Sequence, residues 1–299
     1  MPSISPSLAA AMADAVKAVG DTLERILPKS DYPESKLFES MRYSALNGGK
    51  RLRPFLVMSS ARIFGVADEC AQRAAAAVEC VHCYSLVHDD LPAMDNSDLR
   101  RGNPTVHKKF DEATAILAGD ALLTLAFEIL ADPRTHEDPQ VRCKLIAALA
   151  RAAGANGMVG GQMLDLIAET TQLDIGAITR LQRMKTGELI AFSAEAGAIL
   201  GKASLQHHNA LRAYAHDLGL AFQIIDDLLD AEGTEEETGK SVGRDAKAGK
   251  ATFVTILGAE RARNQAGLLS EQAIQHLSVF DGRAKHLEDV ARFVVDRRN

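Results

Sequence analysis

Apolar positions along this 299-residue chain recur at the three-to-four-residue spacing of helices, and no segment reads convincingly as a strand. Between residues 67 and 91, Ala77, Val78, Val81, Leu86 and Val87 fall on such a stripe. Ile116, Leu117, Leu122, Leu123, Phe127 and Leu130 do the same within 111–131. Further helices are predicted over 140–153, 174–201, 205–231 and 286–298. Pro133 and Pro139 bracket a short connection, Gly233 and the run Glu235 to Glu237 mark a solvated loop, and Gly239, Gly243 and Gly249 punctuate the segment after that loop. No Ser/Gly-rich linker divides the chain. Residues 1–299 are therefore expected to form a single all-α domain, a large bundle with its site between facing helices.

Composition supports the helical reading. Hydrophobic residues make up 46% of the chain but aromatics only 5%, with no tryptophan, so the core must be built mainly from Ala, Leu, Ile and Val. Ala and Leu are strong helix formers. The formal charge of −6 argues against nucleic-acid binding, which uses a basic excess. An anionic ligand must then be met by local basic clusters or by metal ions. No apolar run reaches the roughly 18 residues of a bilayer span. The Ala-rich N-terminus, interrupted by Asp14 and Lys17, lacks the pattern of a signal peptide, so the cytoplasm is the expected location. Four cysteines occur: Cys70, Cys80, Cys83 and Cys143. The Cys80-x-x-Cys83 pair has no second pair to complete a zinc site, and on a helix the two are expected to share one buried face.

Two acidic motifs change the picture. Asp226-Asp227-Leu228-Leu229-Asp230 sits at the end of an apolar helical segment. Asp226 and Asp230, one turn apart, share a face. Carboxylates so close are unfavourable unless a cation lies between them or one is protonated. Oxygen-only ligands suit Mg²⁺, which takes one or two carboxylates and completes its shell with substrate phosphates and water. The first motif, Asp89-Asp90-Leu91-Pro92-Ala93-Met94-Asp95, is two residues longer. On an ideal helix Asp89 and Asp95 would lie about 240° apart. Pro92 ends or kinks the helix, and the unwinding can return Asp95 toward Asp89.

Basic residues accompany both motifs. Gly48-Gly49-Lys50-Arg51-Leu52-Arg53-Pro54 concentrates three cations after a glycine pair, and Arg100-Arg101-Gly102 comes directly after the first acidic motif. Arginine forks match diphosphate oxygens and lysine adds a point charge. Two anion sites, one bridged by metal and one held by side chains alone, suggest a transferase acting on two diphosphates.

Further runs complete a family pattern: SLVHDDLPAMD at 85–95, LRRGNPTVH at 99–107, ILAGDALL at 116–123, GGQMLDL at 160–166, KTGELI at 185–190, FQIIDDLLD at 222–230 and GKSVGRDAKAGKATF at 239–253. In this order, and over nearly the whole chain, they resemble the trans-isoprenyl diphosphate synthases, most closely the bacterial farnesyl diphosphate synthases. Asn96-Ser97 stand where relatives often carry more aspartates. The resemblance implies an all-α bundle around a deep cavity, usually a homodimer, and condensation of isopentenyl diphosphate with dimethylallyl and then geranyl diphosphate to give farnesyl diphosphate. It implies that Asp89, Asp90 and Asp95 on one side, and Asp226, Asp227 and Asp230 on the other, hold several Mg²⁺ ions bridged to the allylic diphosphate. Arg100, Lys185 and Lys240 are then expected on that diphosphate, and Thr186 and Gln223 along the developing carbocation. Lys50, Arg53, His82 and Arg101 resemble the metal-free pocket for isopentenyl diphosphate. Tyr84 and Ser85, five and four residues before Asp89, lie over one turn deeper and are expected to set product length. The alternatives are a geranyl or geranylgeranyl diphosphate synthase, a terpene cyclase, and a non-catalytic regulatory subunit. Intact acidic and basic motifs argue against the last two.

Overall fold

The computed structural model describes residues 5–29, 31–232 and 252–297. Lys240, the loop glycines and the acidic run at 235–237 lie outside the described residues. α1 (Pro6–Ile26) starts at Ser5, whose hydroxyl accepts from Leu8 N, with proline at the first helical position. Next come α2 (Ser35–Leu46), α3 (Leu52–Ile63) and α4 (Asp68–Asp89). After a short hairpin and α5 (Val106–Lys109) come α6 (Glu112–Ala131), α7 (Pro139–Ala153), α8 (Met158–Ala168) and α9 (Ile175–Gln182). Asp111, Asp138 and Asp174 cap α6, α7 and α9, each accepting a backbone N–H of the first turn. A π-helical turn, Arg183–Gly187, leads into α10 (Glu188–Leu200), which precedes α11 (Leu205–Glu232). α12 (Phe253–Leu257) opens with a capping box between Thr252 and Thr255. α13 (Ala259–His276), a 3₁₀ turn (Leu277–Phe280) and α14 (Lys285–Asp296) close the described chain.

The helices expected over 67–91, 111–131, 140–153, 205–231 and 286–298 appear within two residues of those bounds. The segment expected as one helix over 174–201 is two, divided by the π-helical turn. Two-residue strands Leu99–Arg100 and Asn103–Pro104 pair antiparallel in a hairpin, too short for an alternating pattern to betray. The bilayer expectation also needs correction: by length and composition Glu112–Ala131 is apolar enough to cross a membrane. In the fold this helix packs against α4, α2 and α7 as a bundle member.

α4 and α10 form the centre. α10 buries every residue from Leu189 to Leu200 except Glu195, the all-round apolar surface of a helix enclosed by others. It packs on α3, α7 and α11, while α4 packs on α3 and α6. One apolar cluster runs from Leu8 in α1 to Val294 in α14. A polar group deep inside it is satisfied: the fully buried Tyr214 hydroxyl donates to Leu287 O at 2.8 Å. Cys80 and Cys83 are buried free thiols, as their spacing implied.

Candidate active site

The first acidic motif straddles the C-terminal end of α4. Asp89 is its last residue, and Pro92 does what a proline there must: the chain leaves the helix and folds back. Asp95 N donates to Asp89 O at 2.8 Å, and Asn96, in the left-handed region at φ 46°, donates to Leu91 O at 3.1 Å. The two outer aspartates of the motif are thereby returned to one another. Burial pushes the Asp89 carboxyl up to about 6; the Lys185 ammonium pulls it down and the Asp95 charge adds to the rise. A carboxylate pressed toward neutrality in this way gains from a cation beside it.

Asp90 behaves differently. It is buried and takes a bidentate grip from Arg100, with Nε at 3.1 and 3.3 Å from its two oxygens and Nη2 at 2.5 Å. Both line a small cavity of about 30 Å³ with Asn47, Arg101 and Thr105. In this structure the Arg100 fork, expected on a diphosphate, is engaged by the middle aspartate of the motif.

The hairpin after the motif aims Arg101 at the glycine pair. Arg101 Nη1 donates to Gly48 O at 2.5 Å, and a Cβ on Gly49 would lie 2.5 Å from the guanidinium carbon. Gly48 and Gly49 also hold φ of 68° and 109°. Both glycines are therefore suited to their backbone conformation, and at Gly49 a side chain would also displace the Arg101 guanidinium. Of the three cations after them, Arg51 is structural: its side chain is buried and paired with Glu79 and Ala45 O. Lys50 and Arg53, with His82 and Arg101, line a cavity of about 150 Å³. Arg53 Nε is buried without a hydrogen-bond partner. Burial lowers the Arg53 pKa despite the nearby Glu79 and Asp226 charges, and burial plus four arginines holds the His82 imidazole well below its ordinary range, hence neutral.

Arg53 and His82 also line a second cavity, of about 440 Å³. Its lining combines Asp89, Lys185 and Thr186 with Tyr84, Ser85, Met94, Met158, Gln162 and Leu166. Tyr84 is buried and packs edge-on to His88, ring centroids 5.6 Å apart. Ser85 turns its hydroxyl to His82 O at 2.9 Å. The two cavities thus adjoin at Arg53 and His82, and the second combines charged with apolar lining residues.

Lys185 sits on the π-helical turn, and its Nζ donates to Asp165 Oδ2 of α8 at 2.6 Å. Asp165 lies within the GGQMLDL run, but spacing gave no reason to pick it. Thr186 Oγ1 donates to Gln223 Oε1 at 3.3 Å, and Gln223 Nε2 to Asp227 Oδ1 at 3.2 Å. This chain of hydrogen bonds ties the second acidic motif to the cavity rim. Asp227 is buried and also accepts from Phe253 N at 3.1 Å, so it anchors α12 to α11. Asp226 is half-exposed and accepts from Arg297, a residue that no sequence motif flagged. Among the described residues no three His, Cys, Asp or Glu side chains converge as a ready-made metal cage. The available donors are carboxylate oxygens, which suit Mg²⁺ completed by phosphate oxygens and water.

A larger cleft of about 640 Å³ opens between α1, α4 and α6. In it Arg73 and Arg134 pair with Asp132 at 2.9 and 2.5 Å, and no motif residue reaches it.

The family model for polyprenyl synthetases matches residues 34–287. The chain belongs to this family. It is 45% identical to the farnesyl diphosphate synthase of Escherichia coli over 94% of its own length and 96% of that protein's. It is 42% identical to a geranylgeranyl diphosphate synthase of Cyanophora paradoxa, over 94% and 93% of the two chains. Its fold superposes with a TM-score of 0.89 on an apo crystal structure of an FPP/GFPP synthase from Zymomonas mobilis, 50% identical, covering 97% of this chain and 99% of that one. The motif order thus identified the family, and the all-α architecture is the one it implied.

Proposed function

We propose that this prenyltransferase condenses isopentenyl diphosphate with dimethylallyl and then geranyl diphosphate to give farnesyl diphosphate. The observation that carries the reading is the pair of adjoining cavities. One is lined by Lys50, Arg53, His82 and Arg101, with no motif aspartate. The other is lined by Asp89 and Lys185 together with apolar side chains such as Leu86, Met94, Met158 and Leu166. Two diphosphates can be held head by head only where the charges differ in this way.

Asp89 and Asp95 from the first motif, with Asp226 and Asp230 from the second, are the residues that would hold Mg²⁺. When bound, Mg²⁺ supplies Lewis-acid stabilisation of the charge that grows on the departing diphosphate. Lys185 adds a fixed positive charge at the same rim, oriented by Asp165. Asp90 and Asp227 act through others, the one orienting Arg100 and the other Gln223. Arg100 is assigned to the allylic diphosphate, and Lys240, outside the described residues, to the same group. The Thr186 and Gln223 oxygens, hydrogen-bonded to one another, offer negative dipole ends to the allylic cation. The apolar wall excludes water from it. Lys50, Arg53 and Arg101 hold the second diphosphate, and neutral His82 can donate a hydrogen bond there. The C–O bond to the allylic diphosphate breaks, the isopentenyl double bond forms the new C–C bond, and a proton leaves. The released diphosphate takes it, since no matched side chain is placed as a base. Tyr84 floors the apolar cavity and stops the chain at fifteen carbons.

Residues 1–299 are read as one synthase domain, and the protein as a homodimer in the cytoplasm. α6 turns Ile116 and Leu117 to solvent, and a second copy is the occupant assigned to that face. Light scattering should give twice the 32.1 kDa chain mass; a monomer would overturn the assignment.

Purified protein incubated with labelled isopentenyl diphosphate, dimethylallyl diphosphate and Mg²⁺ should yield farnesyl diphosphate. No condensation with either dimethylallyl or geranyl diphosphate would refute the activity, and a C20 or C25 product would refute the assigned length.

A further inference from the structure

Arg297 stands just past the last turn of α14, yet its side chain is only 7% exposed. It reaches back across the fold to α11. There its guanidinium carbon lies 3.9 Å from the Phe222 ring centroid, and Nη2 donates both to Phe222 O at 3.0 Å and to Asp226 Oδ1. Nε is buried with no partner. Arg297 also lines the cationic cavity beside Lys50, Arg53 and Arg101. With Arg51 also in the lining, Arg297 is the fifth Lys or Arg side chain at that cavity, and it faces the aspartate assigned to the second metal position.

We propose that Arg297 is the resident counter-ion of Asp226. It neutralises this carboxylate in the ligand-free protein, yields it when a divalent cation arrives with a diphosphate, and so sets how much cation the second acidic motif requires. The inference rests on the reading of Asp226 as a metal ligand.

Two contrasts with the rest of the molecule favour exchange over a fixed contact. The Arg51–Glu79 pair is buried, with side chains only 3% and 2% exposed. Asp226 is 40% exposed, so water competes with the ion pair and only one of its oxygens is engaged. A pair open to water on one side is held weakly. Arg297 also keeps two other supports, the Phe222 ring and its carbonyl, when the carboxylate is withdrawn. Release therefore does not require the C-terminal segment to leave. Asp226, in turn, stands beside Asp227 and one turn from Asp230, and its charge reaches Arg53. A cluster of like charges of this kind calls for a compensating cation whether or not metal is present. The guanidinium and the divalent ion thus compete for one carboxylate.

The test uses the full-length chain and inorganic pyrophosphate, with thermal stability as the readout. Wild type, Arg297→Gln and Arg297→Lys are melted at fixed pyrophosphate over a range of Mg²⁺ concentrations. Removing a half-exposed ionic competitor should lower the Mg²⁺ concentration for half-maximal stabilisation roughly two- to fivefold in Arg297→Gln. Arg297→Lys, which keeps the charge without the fork, should fall between the two. A merely structural role would lower the melting temperature of Arg297→Gln and leave this midpoint where it is. An unchanged midpoint overturns the inference. A higher midpoint, or a change confined to KM for isopentenyl diphosphate, also overturns it, because Arg297 then serves the phosphate and not the carboxylate. Wild type that gains no stability from Mg²⁺ and pyrophosphate at any concentration overturns the metal reading of Asp226 as well.

Discussion

Gly161 is the seat on which Lys185 rests, and a single methyl group there tests how closely the rim of the cavity is built. A Cβ at this position would lie 2.2 Å from Lys185 N and 2.5 Å from its Cα. Both are backbone atoms, so no side chain can swing away. Reaching the near edge of ordinary contact at 3.4 Å requires about 1.2 Å of movement between α8 and the π-helical turn. Overpacking of this kind costs about 1–3 kcal/mol. In a chain of 299 residues that is a fall in melting temperature of roughly 2–5 °C. The same displacement moves Lys185 and separates it from Asp165, now 2.6 Å away. Misplacing a catalytic group by about 1 Å can cost on the order of 100-fold in rate. Gly161→Ala should therefore fold, melt a few degrees lower by circular dichroism, and lose about 100-fold in kcat with geranyl and isopentenyl diphosphates at saturating Mg²⁺. Wild-type kcat would refute the claim that this contact fixes Lys185. A pure KM effect would refute the assignment of Lys185 to the departing diphosphate.

Four further tests concern Tyr84, Glu79, the Cys80 and Cys83 pair, and His82. Tyr84→Ala removes the buried ring that floors the 440 Å³ cavity, and chromatography should show products longer than C15; unchanged farnesyl product would contradict the assignment. Glu79→Ala leaves the Arg51 charge buried and unpaired, at a cost of about 3–5 kcal/mol in chemical denaturation, and a loss under about 1 kcal/mol would mean water reaches the pair. Burial pushes the Cys83 thiol up to about 12 and raises Cys80 likewise, so a maleimide at pH 7.5 should label exposed Cys143 and spare both until the protein unfolds. His82 is held below its unfolded value, so it contributes stability that is present above pH 6.5 and is lost as pH falls. His82→Gln should accordingly flatten the decline in melting temperature between pH 7 and 5, and a parallel decline would show that other groups carry it.

The sequence conveyed the helices with fidelity where a long apolar stripe meets a clear stop, as in 67–91 against the observed Asp68–Asp89. It failed at 174–201 because the period continues on both sides of the π-helical turn; the insertion is visible only where α8 crosses it through Gly161. The acidic motifs located the site, but a run of aspartates does not say which carboxylates face a cavity. Asp90 and Asp227 are buried beneath their neighbours with partners of their own, Arg100 for one and Gln223 and Phe253 N for the other. Those partners are set by the hairpin and by α12. Arg51 and Arg53 are two residues apart, carry the same charge and line the same cavity, yet one is ion-paired with Glu79 while the other buries its Nε without a partner. The left-handed backbone of Arg51, at φ 49°, begins α3. Asp165 and Arg297 were not singled out because their partners, Lys185 and Asp226, are 20 and 71 positions away.

The central claim is that the aspartates at both ends of the site hold one diphosphate through shared divalent ions. Crystals grown with Mn²⁺ and inorganic pyrophosphate test it directly. Anomalous difference maps should show Mn²⁺ beside Asp89 and Asp95 and again beside Asp226, all touching a single diphosphate. Mn²⁺ at one motif alone, or a diphosphate bound with no metal between it and the aspartates, would contradict the account.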